Sequence, residues 1–144
     1  MDSSRNAWLG VVSAEHVRHG VARGIAQVNH GKRAGLARMR PGDVLVYYSA
    51  QERLGERPAL RSFTAYGVVA DGEIWQADER DFKPFRRRVE YADARVVPLE
   101  EVRADLDLTR DPSWGYLLRR GLLALSAHDA EVLRAAMLKE HAAR

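Results

Sequence analysis

The sequence predicts an α+β domain: a small mixed β-barrel, closed or partly closed, flanked by helices. Many short apolar or alternating runs recur with turn punctuation between them. A serine-capped helix follows the first of these runs, and the last third carries a helical apolar stripe. At 144 residues and 46% hydrophobic content the chain suits one core, so a single domain over residues 1–144 is expected.

Residues Trp8 to Val12 read as an opening apolar strand. Ser13 can cap a helix running to about Val21, with Glu15 in its first turn and Gly20 and Gly24 around its end. Ile25 to Asn29 can return as a short extended segment, which places the run Gln27 to Lys32, QVNHGK, at an element edge. Arg40, Pro41, Gly42 and Asp43 form a turn into the strand VLVYYS, because proline presets one backbone angle and glycine admits the next.

Leu60 to Ala70 and Ile74 to Asp78 are expected to form a strand pair joined at Asp71-Gly72, a dipeptide favoured in tight hairpins. Arg86 to Val97 supplies another strand. Its alternation puts Arg87, Val89 and Tyr91 on one face and Arg86, Arg88 and Glu90 on the other. Ser126 and Asp129 have capping-box-like spacing ahead of a helix with a stripe of Val132, Leu133, Ala136 and Met137, and with Arg134, Lys139 and His141 toward its end. Trp8 and Tyr66 are expected in the core.

Composition narrows the chemistry. Without cysteine there is neither a disulfide framework nor a thiolate nucleophile or metal site. No apolar stretch approaches the roughly 20 residues that cross a bilayer, and the start MDSSRNAW is unlike a signal peptide. A soluble, unprocessed, cytoplasmic protein without membrane partners is expected. His16 and His19 share a helix face but lack a third ligand at a recognised spacing. Ser49, His30 and Asp43 lack the elbow and glycine run of a hydrolase, and no phosphate-loop or dinucleotide fingerprint occurs. The expectation is a non-enzymatic protein with no metal and no cofactor.

The net charge is +3, and twenty of the 23 basic residues are arginine. They cluster at Lys32-Arg33, Arg38 with Arg40, Arg86 to Arg88 and Arg119-Arg120. A guanidinium fork suits bidentate contact with phosphate. The QVNHGK run and the strand ending Tyr47-Tyr48-Ser49 put amides, an imidazole and an amine beside aromatic rings, a mixture suited to a flat heteroaromatic ligand.

Five blocks, AWLGVVSAEHVRHGV (Ala7 to Val21), QVNHGK, RMRPGDVLVYYS (Arg38 to Ser49), FTAYGVVADGEIWQ (Phe63 to Gln76) with FKPFRRRVEY (Phe82 to Tyr91), and WGYLLRRGLLAL (Trp114 to Leu125), carry a resemblance that spans nearly the whole chain. They resemble the EVE family, a branch of the PUA-like β-barrels related to the YTH and ASCH domains. The resemblance implies a PUA-like barrel whose pocket lies between the end of the opening strand, the QVNHGK edge and the strand ending at Ser49. Matched by position, Ser13, Gln27, Asn29, His30, Tyr47, Tyr48 and Ser49 become pocket candidates and Lys32 a rim candidate. Phe85 with Arg86, Arg87 and Arg88 falls where the family keeps an aromatic followed by basic residues, a mixture that Trp114, Tyr116, Arg119 and Arg120 repeat. The sequence departs from the family at Gly35 and Ala50, where proline is common.

Gln27 and Asn29 each offer a donor and an acceptor to a base edge. In a regular strand Tyr47 and Tyr48 point in opposite directions, so one at most faces the pocket. His30 can stack, donate or orient the Gly31 turn, while Phe85, Trp114 and Tyr116 can serve stacking or packing. The leading expectation is a module that accepts one modified, methylated nucleobase of DNA or RNA, with Phe85 or Trp114 beside the pocket and Lys32, Arg86, Arg87, Arg88 and Arg119 on phosphates. The alternative is a small-molecule or protein-interaction module, for which binding would vary little with salt.

Overall fold

A computed structural model describes residues 6–53 and 59–138. Strand β1, Ala7–Val11, runs parallel to β3, Val44–Ser49, and antiparallel to β8, Leu122–Leu125. Parallel neighbours need a crossover, here formed by helix α1, Ala14–Arg23, the two-residue β2, Ile25–Ala26, and helix α2, Arg33–Arg38. Strand β4, Ser62–Val69, lies antiparallel to β3, and β6, Phe85–Tyr91, pairs with both β4 and β2. The order is β2-β6-β4-β3-β1-β8, with β5, Trp75–Gln76, on β6 and β7, Val97–Pro98, on β4.

The α+β class is as expected, but the sheet does not close into a barrel among the described residues. Its end strands β2 and β8 are unpaired with each other. The segments beside them are bridged by a side chain, Asn29 Nδ2 donating to the Arg120 carbonyl at 2.7 Å, and Leu122 of β8 shares a buried cluster with Ala26 of β2.

Alternation sorts both faces of β1 and β3 into core, and all six residues of β3 are buried. Leu9, Val46, Tyr48 and Phe63 share a core with helix α3, Leu99–Val102, and with α5, Ala127–Met137, which contributes Leu133 and Met137. Trp8, Leu45 and Tyr47 face the opposite way, onto Val17, Val28, Leu36 and Met39 of the crossover. Tyr66 joins the first core. The Ser126 hydroxyl accepts from Asp129 N–H at 3.0 Å, the expected cap of α5. Lys139 and His141 lie outside the described residues.

The turn into β3 is fastened by one carboxylate. Asp43 accepts from Arg40 N–H at 2.9 Å, Asn6 N–H at 3.1 Å and the Trp8 indole at 2.9 Å, so it fixes β1 against β3 before the ladder begins. Gly24 ends α1 at φ 70°, as the sequence predicts. Ser13 does occupy the N-cap position, yet its hydroxyl makes no capping bond.

Two expected elements differ. Asp71-Gly72 joins no hairpin, because β6 takes the edge of Gly67 to Val69 and β5 pairs with β6 instead. Long-range pairing of Tyr91, Glu90 and Val89 against β4 outweighs the local turn propensity. The tight reversal is Glu79 to Phe82, closed by backbone bonds of 2.8 and 3.1 Å and turned at Arg80, φ 63°. The strand expected over Arg86 to Val97 stops at Tyr91, and Val97 restarts on a different part of β4.

Candidate functional site

At the end of the sheet where β1 gives way to α1, a cleft of about 480 Å³ opens to solvent. Val11, Val12, Ser13 and Val17 form one wall, Ile25, Gln27, Asn29 and His30 another, and Tyr47 and Gly121 also line it. His16, His19, Gly20 and Arg23 come from α1, while Glu79, Phe82 and Arg86 form the opposite lip. This size falls within the range of small-molecule pockets.

Tyr47 fits beside β1 because its register partner is Gly10: a Cβ there would stand 2.8 Å from the ring. Burial pushes the Tyr47 hydroxyl pKa up to about 12, against the lowering influence of the Tyr91 hydroxyl and the Gln27 backbone. The two rings lie 6.5 Å apart, and the Tyr91 hydroxyl donates to the Ile25 carbonyl at 2.8 Å. Desolvation raises the Tyr91 pKa as well. Both phenols are therefore neutral at physiological pH.

Gln27 has a defined orientation. Arg86 Nε can only donate, and it donates to Gln27 Oε1 at 3.0 Å, which leaves the Gln27 NH2 as the group available to a ligand. The same guanidinium holds Glu79 Oε2 at 2.7 Å, and Arg23 approaches that oxygen at 3.7 Å. The hydrogen bond from Arg86 lowers the Glu79 pKa. Asn29 is committed differently: its NH2 is bonded to Arg120, and its Oδ1 lies 2.6 Å from where a Gly35 Cβ would be. Asn29, His30 and Gly31 follow one another at φ 50°, 58° and 86°, so the QVNHGK edge is a tight left-handed turn rather than a strand end.

Among the residues expected in the pocket, Ser13, Gln27, Asn29, His30 and Tyr47 converge on the cleft. Tyr48, the next residue of the same strand, points by alternation into the opposite core, its ring 5.3 Å from Phe63. Buried Ser49 donates to the Val12 carbonyl at 2.6 Å and contacts the Thr64 hydroxyl at 2.8 Å, so it fixes the wall without lining it. Phe85 packs beneath the sheet on the Tyr47 side, and Trp114 packs on the other core under Arg103.

The expected phosphate run separates into three roles. Arg86 is engaged with Gln27 and Glu79. Arg87 is buried, donating at 2.9 Å to the Met39 carbonyl and at 3.4 Å to that of Leu36, and is thereby withdrawn from any phosphate. Arg88 is exposed over the Trp75 ring. Lys32 and Arg119 are exposed, as phosphate contact requires.

Sequence reasoning missed His16, His19, Arg23, Glu79 and Phe82 as lining residues. The helical spacing of His16, His19, Gly20 and Arg23 marks one face of α1, a usable signal. Glu79 and Phe82 arrive through the unforeseen reversal at Arg80, for which no local motif was available. Elsewhere, Asp107, His128 and Asp129 are grouped closely enough to hold a cation, but both Asp129 oxygens already accept the backbone N–H groups of Asp107 and Leu108, at 2.6 and 2.9 Å.

The candidate site is thus framed by an open mixed sheet, with a cleft at its crossover end and a left-handed turn on the rim. A family model for the EVE domain matches residues 6–136. The chain belongs to the EVE domain family. It is 49% identical over 132 residues to a UPF0310 protein of Renibacterium salmoninarum, covering 92% of this chain and 95% of that one. It is 37% identical to the UPF0310 protein YdcG of Bacillus subtilis, with 92% of each covered. In fold it is similar to the YTH domain-containing protein mmi1, solved as an RNA complex, at a TM-score of 0.59 and 10% identity over 97% of this chain and 87% of that one. No helix among the described residues is long and apolar enough to cross a membrane.

Proposed function

We propose that the cleft accepts one nucleobase of DNA or RNA, distinguished by a modification such as a methyl group, and that no chemical step follows. The observation that carries this reading is Gln27: a carboxamide held by Arg86 with its NH2 free, set among Val11, Val12 and the Tyr47 ring. Such a wall offers a directed donor to an acceptor on the base edge and apolar surface to a methyl group. Phe82, 44% exposed on the lip, supplies a face for stacking. Extracting a base costs a few kcal/mol, which stacking and edge bonds must offset. A fold neighbour solved with RNA is consistent with this use of the architecture.

The test is binding of the purified protein to matched DNA and RNA oligonucleotides, with cytosine or adenine methylated or not, at two salt concentrations. Gln27→Glu is the decisive variant, because it keeps an acceptor for Arg86 and removes the free NH2. Preference for one methylated base in the parent, abolished in this variant, is expected. Equal or negligible binding of all oligonucleotides would sink the reading, and tight binding insensitive to salt would favour a free metabolite.

A further inference from the structure

We infer that a single-stranded nucleic acid follows the seam where the two ends of the sheet meet, with the nucleotide adjacent to the cleft stacked on Tyr116 and its phosphates on Arg119 and Arg120. The inference rests on the cleft being a base site, and it adds where the rest of the strand goes.

Charge pairing sets the direction. On the Glu79 side of the cleft, Arg23 and Arg86 are both engaged with that carboxylate. Across the cleft the seam is different. Asn29 reaches from the left-handed turn to the Arg120 carbonyl, with Lys32 and Arg33 just beyond it on one side and Arg119 and Arg120 on the other. All four cations are exposed, and none has a carboxylate partner among the described residues. An unpaired cluster of this kind flanking a cleft is suited to a polyanion.

Tyr116 supplies the second observation. It is 70% exposed, more than any other large hydrophobic residue among those described, and Arg119 lies 5.3 Å above its ring. It sits in α4, Trp114–Leu117, which continues as a tight turn of Leu118–Arg120 to the cleft-lining Gly121. Five residues at helical rise keep the ring's backbone within about 10 Å of the cleft edge. A ring with a guanidinium over one part of it is a stacking platform for any base, with the charge placed for the flanking phosphate.

The experiment compares a methylated nucleoside with single-stranded oligonucleotides of increasing length centred on that base, using the intact protein and the variants Tyr116→Ala, Tyr116→Phe and Arg119→Gln with Arg120→Gln. Oligonucleotides should bind more tightly than the nucleoside. Tyr116→Ala should lose about tenfold or more of that gain, as for a lost base–aromatic stack, and Tyr116→Phe should retain it. The double arginine variant should make the log–log salt slope shallower by about 1.4, two single-strand contacts. Equal oligonucleotide affinity in Tyr116→Ala and the parent would overturn the path while leaving the base site standing. Tyr116-dependent binding with no preference among bases would uphold the path and remove the base reading. Absence of binding to every strand would overturn both.

Discussion

Asn29 occupies the space that Gly121 leaves empty. A Cβ on Gly121 would collide with Asn29 Nδ2, and one on Gly35 would come within 2.6 Å of Oδ1, so two glycines seat one carboxamide. Asn29 itself sits at φ 50° and Gly121 at φ 76°. Asn29→Gly keeps the left-handed backbone and loses the bond to Arg120, and should cost about 1 kcal/mol. Asn29→Ala loses the same bond and adds backbone strain of about 1 kcal/mol or more, so it should be the less stable of the two in denaturant titration. The reverse order would show that a Cβ at this left-handed position is not strained.

Gly10→Ala should destabilise by about 1–3 kcal/mol, because the new methyl meets the Tyr47 ring at 2.8 Å and the parallel ladder leaves the ring little room. A crystal structure of the variant should show the ring displaced into the cleft and the cavity reduced.

Arg87 and Arg88 are neighbours with opposite expectations. Arg87→Ala strips donors from the Met39 and Leu36 carbonyls and should lower stability by about 3 kcal/mol, whereas exposed Arg88→Ala should stay within about 0.5 kcal/mol of the parent. Thermal unfolding of the two variants checks this contrast.

The buried phenols make the fold sensitive to alkali. Tyr47 keeps its proton to about 12, while in the unfolded chain it ionises near 10.0, so the native state binds more protons between those values. Its contribution is complete below the unfolded pKa and is lost as pH rises through the folded one, an amount of roughly 3 kcal/mol. The raised pKa values of Tyr48 and Tyr91 act in the same direction. Unfolding midpoints measured from about pH 9 upward should fall, and more gently in Tyr47→Phe.

Alternation made much of the interior legible. It put Arg87 on the face of Val89 and Tyr91, and that face is the buried one. It also required Tyr47 and Tyr48 to diverge, but which entered the cleft depended on the face that the crossover covers and on the room that Gly10 leaves there. Ser49 and Phe85 were close in sequence to the site and still turned away from it, because pairing across strands decides direction at the end of a sheet. Asp71-Gly72 carried a strong local turn signal, and the competition for the β4 edge overrode it. Phe82 reached the cleft through a reversal whose left-handed residue is an arginine, a type that announces no turn.

The side-chain bridge at the open edge has one last implication. A hydrogen-bond ladder distributes its strength over many rungs, whereas here a single amide spans residues 29 and 120, ninety-one positions apart in the chain. The polar closure between the two ends is therefore concentrated in one bond, beside the packing of Leu122 with Ala26 and Val28, whereas β1, β3 and β4 hold their register through many.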